Sequence, residues 1–179
     1  MTDERIIDEV PGLYRIIPLR VFRRTQNVTF DFVPVDLLPR IDAIDRVVHE
    51  SNAISPGPVG SIERPWYMHP FQDDNLVVTY GTRHVEIYTH KHGKVERFTV
   101  TPHEVLRDGE VVYKGGAMLV WPCNVFHRIQ SDAAGSASLN LAVHYEGFDL
   151  RTNFNIYCLD ITTGEYAVVR EGYLDQSPA

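Results

Sequence analysis

The chain has little cysteine, no long apolar run and no excess of basic residues. Only two cysteines occur among the 179 residues, Cys123 and Cys158, and they form no CxxC pair. This argues against a disulfide framework and against a cysteine-ligated structural zinc. Seventeen lysines and arginines against twenty-four acidic residues give a net charge of −7. Because that charge opposes binding to phosphate backbones and anionic membranes, we expect neither a nucleic-acid partner nor a membrane partner.

The first ten residues, MTDERIIDEV, lack the basic and apolar regions of a secretory signal, and no apolar run approaches the roughly 18 residues of a membrane-spanning helix. The sequence therefore predicts a cytoplasmic protein. Its length and its 44% of hydrophobic residues predict a single domain over 1–179. Within it we expect a core at 60–147, N-terminal strands and a helix over 1–59, and C-terminal strands over 148–172.

Short runs of β-branched and aromatic residues recur along the chain, separated by turn residues. Many alternate polar with apolar residues, which is the period of a half-buried strand. His92-Gly93 and Asp108-Gly109 are hairpin turn signals. This pattern predicts an all-β antiparallel fold, either a sandwich, a jelly roll or a barrel. The predicted strands are 13–19, 28–35, 75–81, 84–90, 94–100, 110–114, 117–121, 126–131, 137–145, 154–160 and 166–170.

One stretch, PRIDAIDRVVHESNA at 39–53, has a different period. Its apolar residues fall at helical spacing: Ile41, Ile44, Val47 and Val48. Charged residues fill the other face and Pro39 suits a first turn, so we expect one helix of about three turns outside the barrel. The next segment, 51–65, is rich in proline and glycine and predicts an irregular loop at a cavity mouth.

Two stretches carry polar residues that suit a metal site. HPFQDD at 69–74 directly precedes an apolar run. In the second stretch an apolar strand ends at Pro122, and a turn through Asn124 leads to His127. Asparagine tolerates the left-handed backbone conformation that such a turn often needs. We therefore expect the turn to fix the direction in which the side chain of His127 points. If His127 points into the barrel, period-two alternation brings residues 129 and 131 inward with it.

The second stretch resembles the second motif of the cupin superfamily, G-x5-P-x-G-x2-H-x3-N. It maps onto Gly116, Pro122, Asn124, His127 and Ser131, with Asn124 in place of the second glycine and Ser131 in place of the final asparagine.

HPFQDD resembles the last part of the first cupin motif, G-x5-H-x-H-x3,4-E-x6-G. His69 matches the second histidine, Asp74 stands at the glutamate position and Gly81 matches the last glycine. Tyr67 stands where the first histidine is expected, and the opening glycine has no match.

The resemblance implies a cupin-type antiparallel barrel or jelly roll in which the two motifs converge on a divalent transition metal. Carried over by position, the ligands are His69, Asp74 and His127, a set suited to Fe, Mn, Zn, Ni or Co. Gln72 is a further candidate ligand, whereas Asp73 is expected by alternation to face away from Asp74. The alternative is a metal-free pocket in which His127 is a buried hydrogen-bonding histidine and HPFQDD a polar rim.

Further site residues are expected around the motifs. Tyr67 and His127 are the candidate catalytic residues. The candidate substrate-binding residues are Trp66, Tyr80, Asn140 and His144, the last two because they share a polar strand face. His49 and His103 are expected on the surface.

We therefore expect a metal-dependent cupin enzyme, of dioxygenase, isomerase or lyase type, that acts on a small organic molecule. The alternatives are a non-catalytic small-molecule or sugar-binding cupin and a metal-free epimerase-like enzyme. The arginines near the motifs, Arg64, Arg83 and Arg128, are scattered and form no cluster for a nucleotide diphosphate. Exposed strand edges and the added N-terminal strand pair fit the homodimer that the resemblance implies.

Overall fold

The computed structural model describes residues 5–177, and strands dominate them. The only α-helix of these residues, α1 (Leu150–Asn153), is four residues long, and short 3-10 turns cover Val35–Leu37 and Gly172–Asp175. The strands are β1 (Asp8–Val10), β2 (Tyr14–Pro18), β3 (Arg20–Thr25), β4 (Val28–Phe32), β5 (Ala43–His49), β6 (Ile54–Ser55), β7 (Trp66–Met68), β8 (Gln72–Tyr88), β9 (Glu96–Val100), β10 (Glu104–Arg107), β11 (Glu110–Lys114), β12 (Ala117–Trp121), β13 (Phe126–His144), β14 (Ile156–Leu159) and β15 (Tyr166–Arg170).

The strands form the cupin-like antiparallel arrangement that was predicted. Within the described part of the chain, thirteen strands belong to one sheet, and β3 and β4 form a separate hairpin. The two long strands, β8 and β13, pair with each other and with five further strands, β5, β6, β7, β9 and β12. Asp108 and Gly109 both have positive φ between β10 and β11, which confirms that hairpin turn. No helix over residues 5–177 has the length and apolar character that crossing a membrane requires.

β8 and β13 are longer than the predicted strands because each joins two of them. β8 has 17 residues and β13 has 19, and their pairing shifts register between Ser131 and Ser136. At this bend the backbones come very close: a Cβ on Gly81, whose φ is +69°, would lie 2.1 Å from the carbonyl oxygen of Gly135. The bend therefore needs a glycine at position 81.

The helix predicted over 39–53 is wrong. Its central part is β5, which pairs with β13 from Ala43 opposite Ala142 to His49 opposite Ser136. The side chains alternate, so that the odd-numbered ones from position 45 to 49 line a cavity while the even-numbered ones face outward. Isoleucine and valine are also favourable in strands. Hydrogen bonding to β13 therefore makes this segment a strand although its apolar residues fall at helical spacing.

The hydrophobic core supports the wall of the cavity directly. Leu76 on β8, Trp121 on β12 and Ile129 on β13 belong both to the largest core cluster and to the cavity lining. Because core residues are close-packed, the polar groups beside them are held by the same strands with little freedom.

Candidate functional site

A cavity of about 280 Å³ opens between the inner faces of β5, β7, β8 and β13. This volume is just below the range of roughly 300–1,000 Å³ found for ligand pockets. The cavity therefore suits a small organic molecule.

His69, Asp74 and His127 form a buried cluster in this cavity. Their metal-ligating atoms all lie within 4.8 Å of one another. The Nε2 atom of His69 is 3.3 Å and that of His127 is 3.7 Å from Oδ2 of Asp74. The structure thus brings together the three residues that the cupin resemblance implied.

Both histidines use their other ring nitrogen on a backbone carbonyl oxygen. Nδ1 of His69 lies 2.6 Å from the carbonyl oxygen of Asn153, and Nδ1 of His127 lies 3.1 Å from that of Val125. A carbonyl oxygen only accepts, so each Nδ1 carries the proton. Burial, and then the neighbouring His69, lower the pKa of His127 to about 4, so this ring is neutral at pH 7. Its Nε2 therefore presents a lone pair to the cluster.

The carboxylate of Asp74 is oriented by three donors. Oδ1 accepts hydrogen bonds from the side-chain amides of Gln72 and Asn140, both at 2.7 Å. Oδ2 accepts from the indole N–H of Trp121 at 3.0 Å. Gln72 and Asn140 thus hold one oxygen, and the other is turned towards the two imidazoles.

Gln72, a further candidate ligand, forms hydrogen bonds on both sides of its amide. Its amide nitrogen donates to Asp74, and its amide oxygen accepts from the side chain of Asn153 at 3.1 Å. Gln72 therefore positions the carboxylate of Asp74. Asp73 faces away from the cluster, as alternation predicted, and accepts from the Cys123 backbone N–H and the Tyr145 hydroxyl.

Strand register explains how the sequence places these groups. Trp121 on β12 pairs with Asp74 on β8, and Tyr67 on β7 pairs with His127 on β13. Asn124 has the left-handed φ of 64° that was expected for the turn before His127. The cluster is thus built by neighbouring strands of one sheet.

Tyr67, a candidate catalytic residue, lines the cavity with its ring centroid 5.9 Å from that of His127. Burial raises the pKa of its phenol above the usual value. The phenol therefore keeps its proton at neutral pH, which suits a proton donor better than a metal ligand.

Of the four candidate substrate-binding residues, only Asn140 reaches the cavity. Trp66 alternates with Tyr67 and packs on the other side of β7, where the Arg128 guanidinium lies 4.0 Å from its ring centroid. Tyr80 is 58% exposed at the bend of β8. His144, at the end of β13, stacks on Phe148 at a centroid distance of 3.6 Å.

Several cavity residues were missed by sequence reasoning. His49 was expected on the surface but is buried, and Asp45 lines the cavity from the same strand. Arg83 is buried although arginine is normally a surface residue. Phe154 packs edge-on against His69 at a centroid distance of 5.0 Å. The β-branched residues Ile44, Val47 and Val48 were the signal that could have indicated a strand here.

Comparison with known proteins supports the fold only. No protein-family model matches this chain, and no curated protein matches it. A solved structure that is similar is the WlaRB TDP-quinovose 3,4-ketoisomerase from Campylobacter jejuni, with a TM-score of 0.50 and 14% sequence identity, covering 76% of this chain and 87% of that chain. At this identity the likeness shows a shared fold and carries no statement about activity.

Proposed function

We propose that this protein is a metal-dependent enzyme acting on a small organic molecule, with His69, Asp74 and His127 as the metal ligands. One observation carries the proposal: Asp74 Oδ2 and the Nε2 atoms of two histidines converge, while both Nδ1 atoms donate to backbone carbonyls. Metal-ligating histidines almost always fix their second nitrogen in this way. Three electron-pair donors facing one another fit a bound cation.

The donor set also suggests what the metal supplies. Two imidazoles and a carboxylate suit Fe, Mn, Zn, Ni or Co. Because only three ligands come from the protein, open coordination positions would remain, and there the metal would act as a Lewis acid that polarises a bound substrate. The surrounding residues provide proton transfer: Tyr67 as donor, and Asp45 as acceptor. Burial raises the pKa of the Asp45 carboxyl, which makes this carboxylate a better proton acceptor.

A second candidate function is a metal-free isomerase that uses His69 and Asp74 as an acid–base pair. The 3.3 Å separation of their side chains favours it, because a protonated His69 would form an ion pair there. The ketoisomerase named above shares the fold and shows that this kind of barrel can support isomerisation. In this alternative His127 is a buried neutral histidine.

Metal content distinguishes the two candidates. The protein is produced without a histidine tag or chelator and is measured by mass spectrometry, beside Asp74→Asn and His127→Ala. Asp73→Asn and His144→Ala are matched controls, because each makes the same exchange at a nearby position outside the cluster. We expect near-stoichiometric metal in the wild type and both controls and its loss in both cluster variants. No metal after reconstitution, or full occupancy in Asp74→Asn, would reject the metal site and favour the acid–base candidate.

We propose further that the chain forms one cupin-type domain, acts in the cytoplasm and assembles as a homodimer. A small-molecule substrate is consistent with the size of the cavity.

A further inference from the structure

Arg83 is a buried arginine that lines the same cavity, and it lies away from the metal cluster. Its side chain is almost inaccessible to bulk solvent, with a relative exposure of 1%. Nε donates to the Ser136 hydroxyl at 3.0 Å, and Nη2 donates to the carbonyl oxygen of Val47 at 3.1 Å. Its remaining N–H groups have no hydrogen-bond partner among the described residues, and the side chain lines the cavity. Burial lowers the pKa of Arg83 to about 10, so the group is still a cation at neutral pH.

The positive charge of Arg83 has no acidic partner among residues 5–177. Its hydrogen bonds go to a hydroxyl and a backbone carbonyl, and no carboxylate lies within 4.0 Å of it. The neighbouring polar chain is neutral too: Ser136 contacts Ser131 at 2.6 Å, and Ser131 contacts Nδ1 of His49 at 3.0 Å. A buried cation without a counter-charge is costly, so an anionic group on a ligand would complete the site.

Strand register sets the distance between the two polar ends of the cavity. Arg83 pairs with Ser131, which follows His127 by four residues on β13. At ~3.3 Å per residue, the ends are ~13 Å apart. Leu76 and Ile129 form an apolar wall of the cavity, and Ile129 lies between the two ends on β13.

We infer that Arg83 binds the carboxylate of the substrate, which is a small organic acid whose apolar part contacts Leu76 and Ile129 and whose other end reaches the His69–Asp74–His127 cluster. A single guanidinium matches a single carboxylate in charge and in its planar, two-pronged hydrogen bonding. A phosphate or a nucleotide diphosphate brings more negative charge than one cation offsets, and Asp45 and Asp74 also line the cavity. The identification of the ligand as a substrate rests on the proposed function. The binding of an anion by Arg83 does not, and it can be tested on the metal-free protein.

The test uses the metal-free protein and matched pairs of probes. Binding of hexanoate and benzoate is measured by calorimetry beside the uncharged hexanamide and benzamide, with inorganic phosphate as a further anion. The variants are Arg83→Met, which keeps an unbranched stem without the charged guanidinium, and Arg83→Lys, which keeps the charge. Arg46→Met is the control, because Arg46 is exposed on the outer face of β5.

We expect the carboxylates to bind at least ~10-fold more tightly than their amides, as a charged hydrogen bond predicts. Arg83→Met should lose this preference, Arg83→Lys should retain part of it, and Arg46→Met should match the wild type. Equal binding of acid and amide, or carboxylate binding by Arg83→Met at wild-type strength, overturns the inference. Arg83-dependent binding of phosphate but of neither carboxylate overturns the ligand class. If Arg83→Met does not fold, the wild-type comparison of each carboxylate with its amide is by itself the test of the anion site. None of these results depends on the metal, because the protein is metal-free throughout.

Discussion

Nδ1 of His69 donates to the backbone carbonyl oxygen of Asn153 over 2.6 Å, across 84 residues of sequence. Asn153 ends the short helix α1, and its side chain also donates to Gln72, which in turn donates to Asp74. One residue from the C-terminal part of the chain therefore positions two members of the cluster. Such outer contacts commonly set the affinity of a metal site.

Asn153→Asp should weaken the site without removing any ligand. The new carboxylate cannot donate to Gln72, and it places a charge in a buried position. We expect metal affinity to fall roughly 10–100-fold and the free energy of unfolding to fall by about 1–3 kcal/mol. A competitive metal titration and urea denaturation measure the two effects. Asn27→Asp, the same exchange in an exposed turn, should change neither; equal effects in both variants would contradict this role for Asn153.

The two tryptophans of the chain allow metal binding to be located by fluorescence. The ring of Trp121 is 5.1 Å from that of His127 and its N–H donates to Asp74, whereas Trp66 packs under Arg128. A paramagnetic ion quenches a nearby indole. Titration with Co²⁺ should therefore quench Trp66→Phe, which retains Trp121, much more than Trp121→Phe. Equal quenching of both variants would place the ion elsewhere.

The parts of the structure that were predictable from sequence are those set by local pattern. The alternation of polar with apolar residues predicted the all-β fold. The turn at Asn124 was predicted because backbone preferences act locally, and His127 follows from it. The segment around Asp45 was misassigned because its apolar residues fall at helical spacing, and only pairing with β13 selects the strand. The burial of Arg83 was not predictable, because it depends on a strand bend formed by residues distant in sequence.

The bend beside Arg83 depends on glycine at position 81, where a Cβ would lie 2.1 Å from a carbonyl oxygen. Gly81→Ala should therefore destabilise the fold by ~4 kcal/mol or more, since backbone must move. Gly60→Ala is the matched control: its φ is +57°, but a Cβ there meets nothing within 4 Å. The control should lose only the roughly 1–2 kcal/mol of a left-handed alanine. Urea denaturation measures both, and similar losses would show that the close approach is relieved easily.

The hairpin of β3 and β4 supports the proposed homodimer. It lies outside the main sheet and exposes aromatic side chains, including Phe22 at 65% and Phe32 at 44%. A two-stranded hairpin is marginally stable alone, and an apolar surface of this kind usually marks an interface. We expect light scattering after size exclusion to give a dimer and Phe22→Glu to give a monomer. Tyr80→Glu, at an exposed aromatic residue elsewhere, should remain dimeric, and a monomeric wild type would exclude the assembly.

His49 should make the metal-free protein less stable at acid pH. Burial, followed by the charge of Arg83, lowers the pKa of His49 from 6.5 to about 4. Below pH 6.5 the unfolded chain takes up a proton on this histidine that the folded protein does not bind until about pH 4. The contribution of neutral His49 to the free energy of unfolding is therefore complete above pH 6.5 and is lost as the pH falls towards 4, by at most about 3 kcal/mol.

His49→Gln retains a hydrogen-bonding group for Ser131 but does not titrate. Urea denaturation of this variant between pH 7 and 4 should therefore show a shallower loss of stability than in the wild type. His103→Gln, at an exposed position, should follow the wild-type curve, and parallel curves for His49→Gln and wild type would show that His49 is not the titrating group.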